Sequence, residues 1–107
     1  MLDVSRNFCY RHGVIRSYGD TRTARFAGGE RIRQFEPFRR QAETRLDRLD
    51  AATVLGDIAR FPGHHFEKLK GARSDTYSIR INDQWRLCFK WPAGSPGPEN
   101  VTIEDYH

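Results

Sequence analysis

The sequence predicts an α+β fold: an N-terminal strand, two helices, then a curved antiparallel sheet of three to four strands. Three observations predict it. Val14–Tyr18 alternates apolar and polar residues. Phe38, Ala42, Leu46 and Leu49 form one stripe at helical spacing. Two period-two runs, Thr76–Ile81 and Trp85–Trp91, then flank a short turn. With 107 residues the chain has the length of one domain and can bury a real core.

Residues 1–13 show no sustained period and end at Gly13. They read as a flexible extension or as the product of an upstream start, leaving residues 14–107 as a single domain. Val14–Tyr18 is the first strand, broken by Gly19 and Asp20. Asp20 suits the N-cap of a short helix through Arg25, Phe26 and Ala27, which Gly28 and Gly29 stop. The long helix starts at Glu36 and Pro37, since proline is tolerated at the first helical position. Its outer face carries Arg39, Arg40, Glu43, Asp47 and Arg48, an ordinary solvated surface. Ala51–Ala59 reads as a shorter helical turn with Thr53 as its cap, ended by Pro62 and Gly63.

In the C-terminal part, loop length decides the register. A two-residue loop at Asn82 and Asp83 would set Ile79 against Arg86. A three-residue loop pairs Ile81 with Trp85, Ile79 with Leu87 and Tyr77 with Phe89, and so gathers the apolar side chains on one face. By parity the other face carries Arg80 beside Arg86, Ser78 beside Cys88 and Thr76 beside Lys90. Two opposed arginines repel, and either an anion between them or separate partners would relieve this. Residues 93–100 form a Gly/Pro-rich loop. Val101–His107 is the last strand, with Val101 and Ile103 inward. Lys68 and Lys70 share parity ahead of a turn at Gly71, and with Arg73, Arg80, Arg86 and Lys90 they predict a concentrated basic surface.

Composition narrows the function classes. The net charge is +4, and 15 of the 18 basic residues are arginine. Arginine grips phosphate bidentately and stacks on bases, so the balance points to a polyanion partner. A codon bias towards arginine is the alternative source. Cys9 and Cys88 are too far apart in sequence for a metal or redox motif, which suits a reducing cytoplasm. No apolar run approaches a membrane span, and residues 1–13 lack the apolar segment of a signal peptide. His64 and His65 are adjacent, so they do not form a helical metal pair, and they read as loop residues. No metal site or cofactor motif is expected.

RNA cleavage without a metal needs a group that takes the 2′-hydroxyl proton, cations for the phosphorane charge, and an acid for the leaving 5′-oxygen. A histidine's ordinary pKa lies near neutrality, so His107 suits proton transfer. Asp105 suits orienting it or acting as base. Arg73 and Arg86 suit the phosphorane, and Lys70 or Tyr106 the leaving group or phosphate. Lys68, Arg80 and Lys90 suit binding of the RNA backbone. Each also has a plainer role as a solubilising or strand-end residue.

The order Leu69-Lys70-Gly71-x-Arg73, Tyr77-Ser78-Ile79, Trp85-Arg86-Leu87-x-Phe89 and Glu104-Asp105-Tyr106-His107 resembles the HigB-type toxins of the RelE/ParE superfamily. Val14–Tyr18 resembles the usual start of that family. The resemblance implies a small RelE-like domain and a cytoplasmic endonuclease that cuts mRNA in the ribosomal A site. It implies a HigA-type helix-turn-helix antitoxin as partner. It assigns the catalytic roles to Lys70, Arg73, Arg86, Asp105, Tyr106 and His107. Two readings stay open beside it: a ParE-like inhibitor of DNA gyrase on the same fold, and a non-catalytic RNA-binding module. The sequence departs from the pattern at Glu67, where some relatives carry histidine, and at Asn82, where some carry a basic residue. His64 or His65 would then be substitutes for the missing histidine. Residues 1–13 have no counterpart, which makes Val14 the expected natural start.

Overall fold

The computed structural model describes residues 13–106. The expectations for residues 1–12, and the catalytic role expected of His107, lie outside the described residues. Among the described residues three α-helices, α1 (Thr21–Ala27), α2 (Arg39–Ala51) and α3 (Leu55–Ala59), precede a sheet of β1 (Glu67–Lys68), β2 (Thr76–Arg80), β3 (Trp85–Lys90) and β4 (Glu99–Asp105). The strands are antiparallel in the order β1-β2-β3-β4. This is the expected α+β architecture. No helix among the described residues is long and apolar enough to cross a membrane.

The Asp20 carboxylate accepts the Thr23 N–H at 2.7 Å and caps α1. The long helix begins later than the position of Pro37 suggests. Arg33–Phe38 is a 3₁₀ helix containing Pro37, and α2 starts at Arg39. A 3₁₀ helix has three residues per turn, so residues three apart share one side. That geometry points Ile32, Phe35 and Phe38 into the core together. The stripe then continues through Ala42, Leu46 and Leu49, all buried. At α3 the cap lies one residue beyond Thr53. The backbone N–H groups of Thr53 and Val54 both reach forward to the Asp57 carboxylate, at 2.9 and 3.3 Å. These bonds, Thr53 first, hold the Asp57 carboxyl down at about 2.

The hairpin register is the three-residue-loop register, with Tyr77 opposite Phe89, Ile79 opposite Leu87 and Arg80 opposite Arg86. The apolar face packs on the helices. Ile79, Leu87, Phe89, Val101 and Ile103 meet Phe26, Phe35, Leu46, Leu49 and Ile58 there. Phe35 is the aromatic hub, its ring 5.3 Å from Phe26 and 5.6 Å from Trp85, both edge-on. In β4 two residues, Asn100 and Val101, face the single residue Phe89, and Asn100 adopts φ +56. This bulge keeps Val101 and Ile103 inward, and asparagine tolerates the left-handed conformation.

Val14–Tyr18 does not form the expected strand. It is extended, but only Tyr18 makes a bridge, parallel to Val101. The Val14 N–H bonds to the Asp50 carbonyl at the end of α2, and the Arg16 N–H to the Pro98 carbonyl. The segment borders a proline-containing loop, and proline has no N–H with which to build a ladder.

Candidate functional site

The site grows from the second face of the sheet. Cys88, Thr76 and Ser78 on that face are buried rather than open. Polar side chains roof it. Across β3 and β4, Arg86 faces Glu104. Glu104 accepts both terminal nitrogens of Arg73, at 2.8 and 2.7 Å, and the Thr102 hydroxyl at 2.6 Å. The bonds from Arg73 hold the Glu104 carboxyl below its ordinary range and raise the Arg73 guanidinium above its own. Lys70 precedes the 3₁₀ turn Gly71–Arg73, which delivers Arg73 to this face, and Gly71 at φ +68 makes the turn possible.

Arg86 is the most shielded cation of the face, its side chain 14% exposed. Its Nε donates to the Ser78 hydroxyl at 2.9 Å and one Nη to the His65 carbonyl at 2.6 Å. Its guanidinium carbon lies 5.8 Å from the centre of the Tyr106 ring. Glu67, opposite Ser78, brings a carboxylate oxygen to 3.8 Å from the same Nη. His65, Arg80, Asn82, Asp83, Arg86 and Tyr106 line a depression of about 470 Å³. Burial, then the Cys88 thiol, raise the Tyr106 phenol above its ordinary value, so it stays protonated and able to donate. Burial pushes the Cys88 thiol up to about 12, leaving it inert at neutral pH.

The structure bears out some sequence expectations about this face and corrects others. Arg80 and Arg86 are directly opposed, but each has its own partners: Asp83 takes the Arg80 guanidinium, while Ser78, His65 and Glu67 take Arg86. Lys68 sits opposite Tyr77, so it belongs to the helix side of the sheet, not to the arginine face. Asp105 sits opposite Trp85 and is likewise on the other side from Arg86 and Glu104. Gln84 holds the Asp105 carboxylate at 3.1 Å and accepts the Tyr106 N–H at 2.5 Å, which fixes the start of the tail. Lys90 is on the arginine face but pairs with Asp75 at 3.3 Å. It is four residues from Arg86 along the strand, roughly 13 Å away. Glu104, which the sequence reading does not single out as a site residue, stands on the arginine face. Extending the inward parity of Val101 and Ile103 one step would have found it, and would have turned Asp105 away.

The two histidines differ. His65 borders the depression with a positive φ of 48. His64 is fully buried and structural, one ring nitrogen 3.1 Å from the Ile58 carbonyl and the other 3.2 Å from an Arg48 Nη. Burial is the main cause that lowers its pKa below 6.5, and the bond to Ile58 opposes this. The unfolded chain takes up a proton near its ordinary value while the folded protein resists, so stability is full above about pH 6.5 and declines as pH falls. Urea midpoints measured from pH 8 to pH 5 should drop on the acid side in the wild type, and drop less in His64→Gln. Equal acid-side slopes in the two proteins would remove His64 from the account.

Comparisons with known proteins place the chain in a family. Toxin HigB-1 of Vibrio cholerae is 44% identical over 50 residues, covering 47% of this chain and 53% of that protein. An uncharacterized protein of Haemophilus influenzae is 36% identical over 47 residues, covering 44% of this chain and 46% of its own length. The matched segments thus span about half the length of each relative. The family model for the RelE-like toxin HigB of type II toxin–antitoxin systems matches residues 16–107. Since that match takes in both the sheet and its arginine face, the chain belongs to the HigB-like family of RelE-type toxins.

Proposed function

We propose that this toxin is a ribosome-dependent endonuclease that cuts translated mRNA in the A site. The observation that carries the reading is Arg86. A shielded guanidinium, hydrogen-bonded to two neutral acceptors with the Glu67 carboxylate 3.8 Å away and laid against a protonated phenol, is a preorganised site for a developing phosphate charge. In the proposed reaction the 2′-oxygen attacks the adjacent phosphorus. The new P–O2′ bond forms as the P–O5′ bond breaks, leaving a 2′,3′-cyclic phosphate and a 5′-hydroxyl. Arg86 and Arg73 bind the non-bridging oxygens, with Lys70 beside them. Tyr106 donates to the phosphate or to the departing oxygen. His107, joined directly to Tyr106, moves a proton. With Asp105 turned away, His65 at the depression and Glu67 beside Arg86 are the candidate proton acceptors, and Asp105 acts through Gln84 to position the tail. Kinship with the family supports the ribosome as the place of action, a HigA-type antitoxin as the partner and the cytoplasm as the compartment.

The test is to map 5′ ends on cellular mRNA after induction, with His107→Ala as control. Cuts within translated codons that vanish in the control are expected. Growth arrest with a DNA-damage response and uncut mRNA would replace this reading with gyrase inhibition.

A further inference from the structure

Beside the depression, where α2 meets the end of β2, stand three arginines: Arg45, Arg48 and Arg80. Their anchors set two of them apart. The Arg45 Nε donates to the Arg80 carbonyl at 2.9 Å. One Nη of Arg48 bonds to a ring nitrogen of the buried His64, and its guanidinium carbon lies 4.5 Å from the centre of the Phe61 ring. Elsewhere Arg25, Arg31, Arg39 and Arg60 each meet a glutamate or aspartate. Among the described residues no ion pair joins Arg45 or Arg48 to a carboxylate. The third, Arg80, is paired only with Asp83, a loop residue whose side chain is 95% exposed.

Arg45 and Arg48 thus carry charge that no carboxylate among the described residues neutralises, beside an Arg80 paired only at its exposed edge, and the three repel one another. Burial, then the neighbouring Arg48 and Arg80, lower the Arg45 pKa. The fold tolerates this arrangement and holds the guanidiniums in place with a carbonyl, an imidazole and a ring. Such anchors fix position without cancelling charge, so the other N–H groups of each fork remain available to an anion. Arg80 belongs both to this cluster and to the depression that holds Arg86. The basic strip therefore continues from the candidate site onto α2.

We propose that Arg45, Arg48 and Arg80 form a second phosphate-binding subsite, which takes the RNA backbone where the strand leaves the depression. This rests on the endonuclease reading and adds a substrate contact to it. It makes the path of the strand run from Arg86 over Arg80 towards α2. Sequence specificity is not expected from it, because backbone contacts position a strand without reading bases.

The experiment compares the wild-type protein, Arg45→Gln/Arg48→Gln and Arg45→Lys/Arg48→Lys. Each is titrated with a fluorescent 2′-O-methyl RNA 12-mer, which cannot be cut, across a series of salt concentrations. Each single-strand phosphate contact contributes about 0.7 to the slope of log affinity against log salt. The glutamine pair should flatten that slope by about 1.4 and weaken binding roughly tenfold or more at 0.1 M salt. The lysine pair should keep most of the slope. Single Arg45→Gln leaves Arg48 on His64 and should lose about half the effect, which keeps the test decisive if the double variant does not fold. Unchanged slope and affinity in the glutamine variants would overturn the subsite. So would normal RNA binding with lost capture of the antitoxin, which would assign the surface to an acidic segment of that protein. If the variants lose RNA binding as expected but the wild type leaves ribosome-bound mRNA uncut, the subsite stands and the endonuclease reading fails.

Discussion

Arg86→Lys is expected to lose about 10²- to 10³-fold in the rate of cleavage of ribosome-bound mRNA, the range seen when one preorganised donor to a transition-state charge is removed. Charge alone does not explain the effect, since lysine keeps it. The native side chain joins the Ser78 hydroxyl to the His65 carbonyl while lying against Tyr106. That needs a planar fork with donors in fixed directions, whereas an ammonium is a compact point charge on a flexible stem. The Ser78 side is buried, so a lost bond there also costs about 1–3 kcal/mol of stability. Single-turnover cleavage, with circular dichroism and antitoxin capture as checks on folding, separates the two effects. A folded Arg86→Lys protein that cuts within a few-fold of the wild-type rate would move the phosphate charge onto Arg73.

Phe35→Ala is expected to lower stability by about 3–5 kcal/mol. Phe35 is completely buried, and its ring touches Phe26, Phe38 and Trp85. The Arg22 guanidinium carbon also lies 4.9 Å from its ring centre. Truncation removes the transfer energy of the ring and leaves a cavity bounded by the sheet on one side. The surroundings relax only in part, because interiors are packed at crystal-like density. A domain of this size is stable by roughly 5–15 kcal/mol, so about a fifth or more is at stake. Urea unfolding reads the loss as a midpoint shift of about 1 M or more, given slopes of about 1–3 kcal/mol per molar for small proteins. Val54→Ala makes the contrast, since Val54 is 56% exposed and should change stability by less than about 0.5 kcal/mol. A Phe35→Ala midpoint near that of Val54→Ala would contradict the packing described.

These two predictions differ in how far their residues could be read from the sequence. Arg86 was legible, because the strand through it alternates and its neighbour Arg80 follows from the register. The hub role of Phe35 was not. Its place depends on the 3₁₀ segment Arg33–Phe38, whose period of three is not signalled by Pro37, a residue equally suited to the first turn of an α-helix. Asp105 and Glu104 were legible in principle. Their sides follow from Val101 and Ile103 by simple alternation.

The sequence by itself determined the α+β class, the Asp20 cap, the buried stripe of α2 and the hairpin register. Each is a local or nearest-neighbour property in which misplacing one residue would bury a charge or expose an apolar face. Only the tertiary structure decided the side of the sheet that Lys68 takes, because a strand of two residues has no alternation of its own to orient it. The same holds for His64, buried between Ile58 and Arg48, and for Val14–Tyr18, drawn out between the end of α2 and a proline-containing loop. It also holds for the pairing of Arg73 with Glu104, 31 residues apart. A long flexible side chain takes whichever partner the packed backbone brings within reach, and local sequence carries little information about that distance.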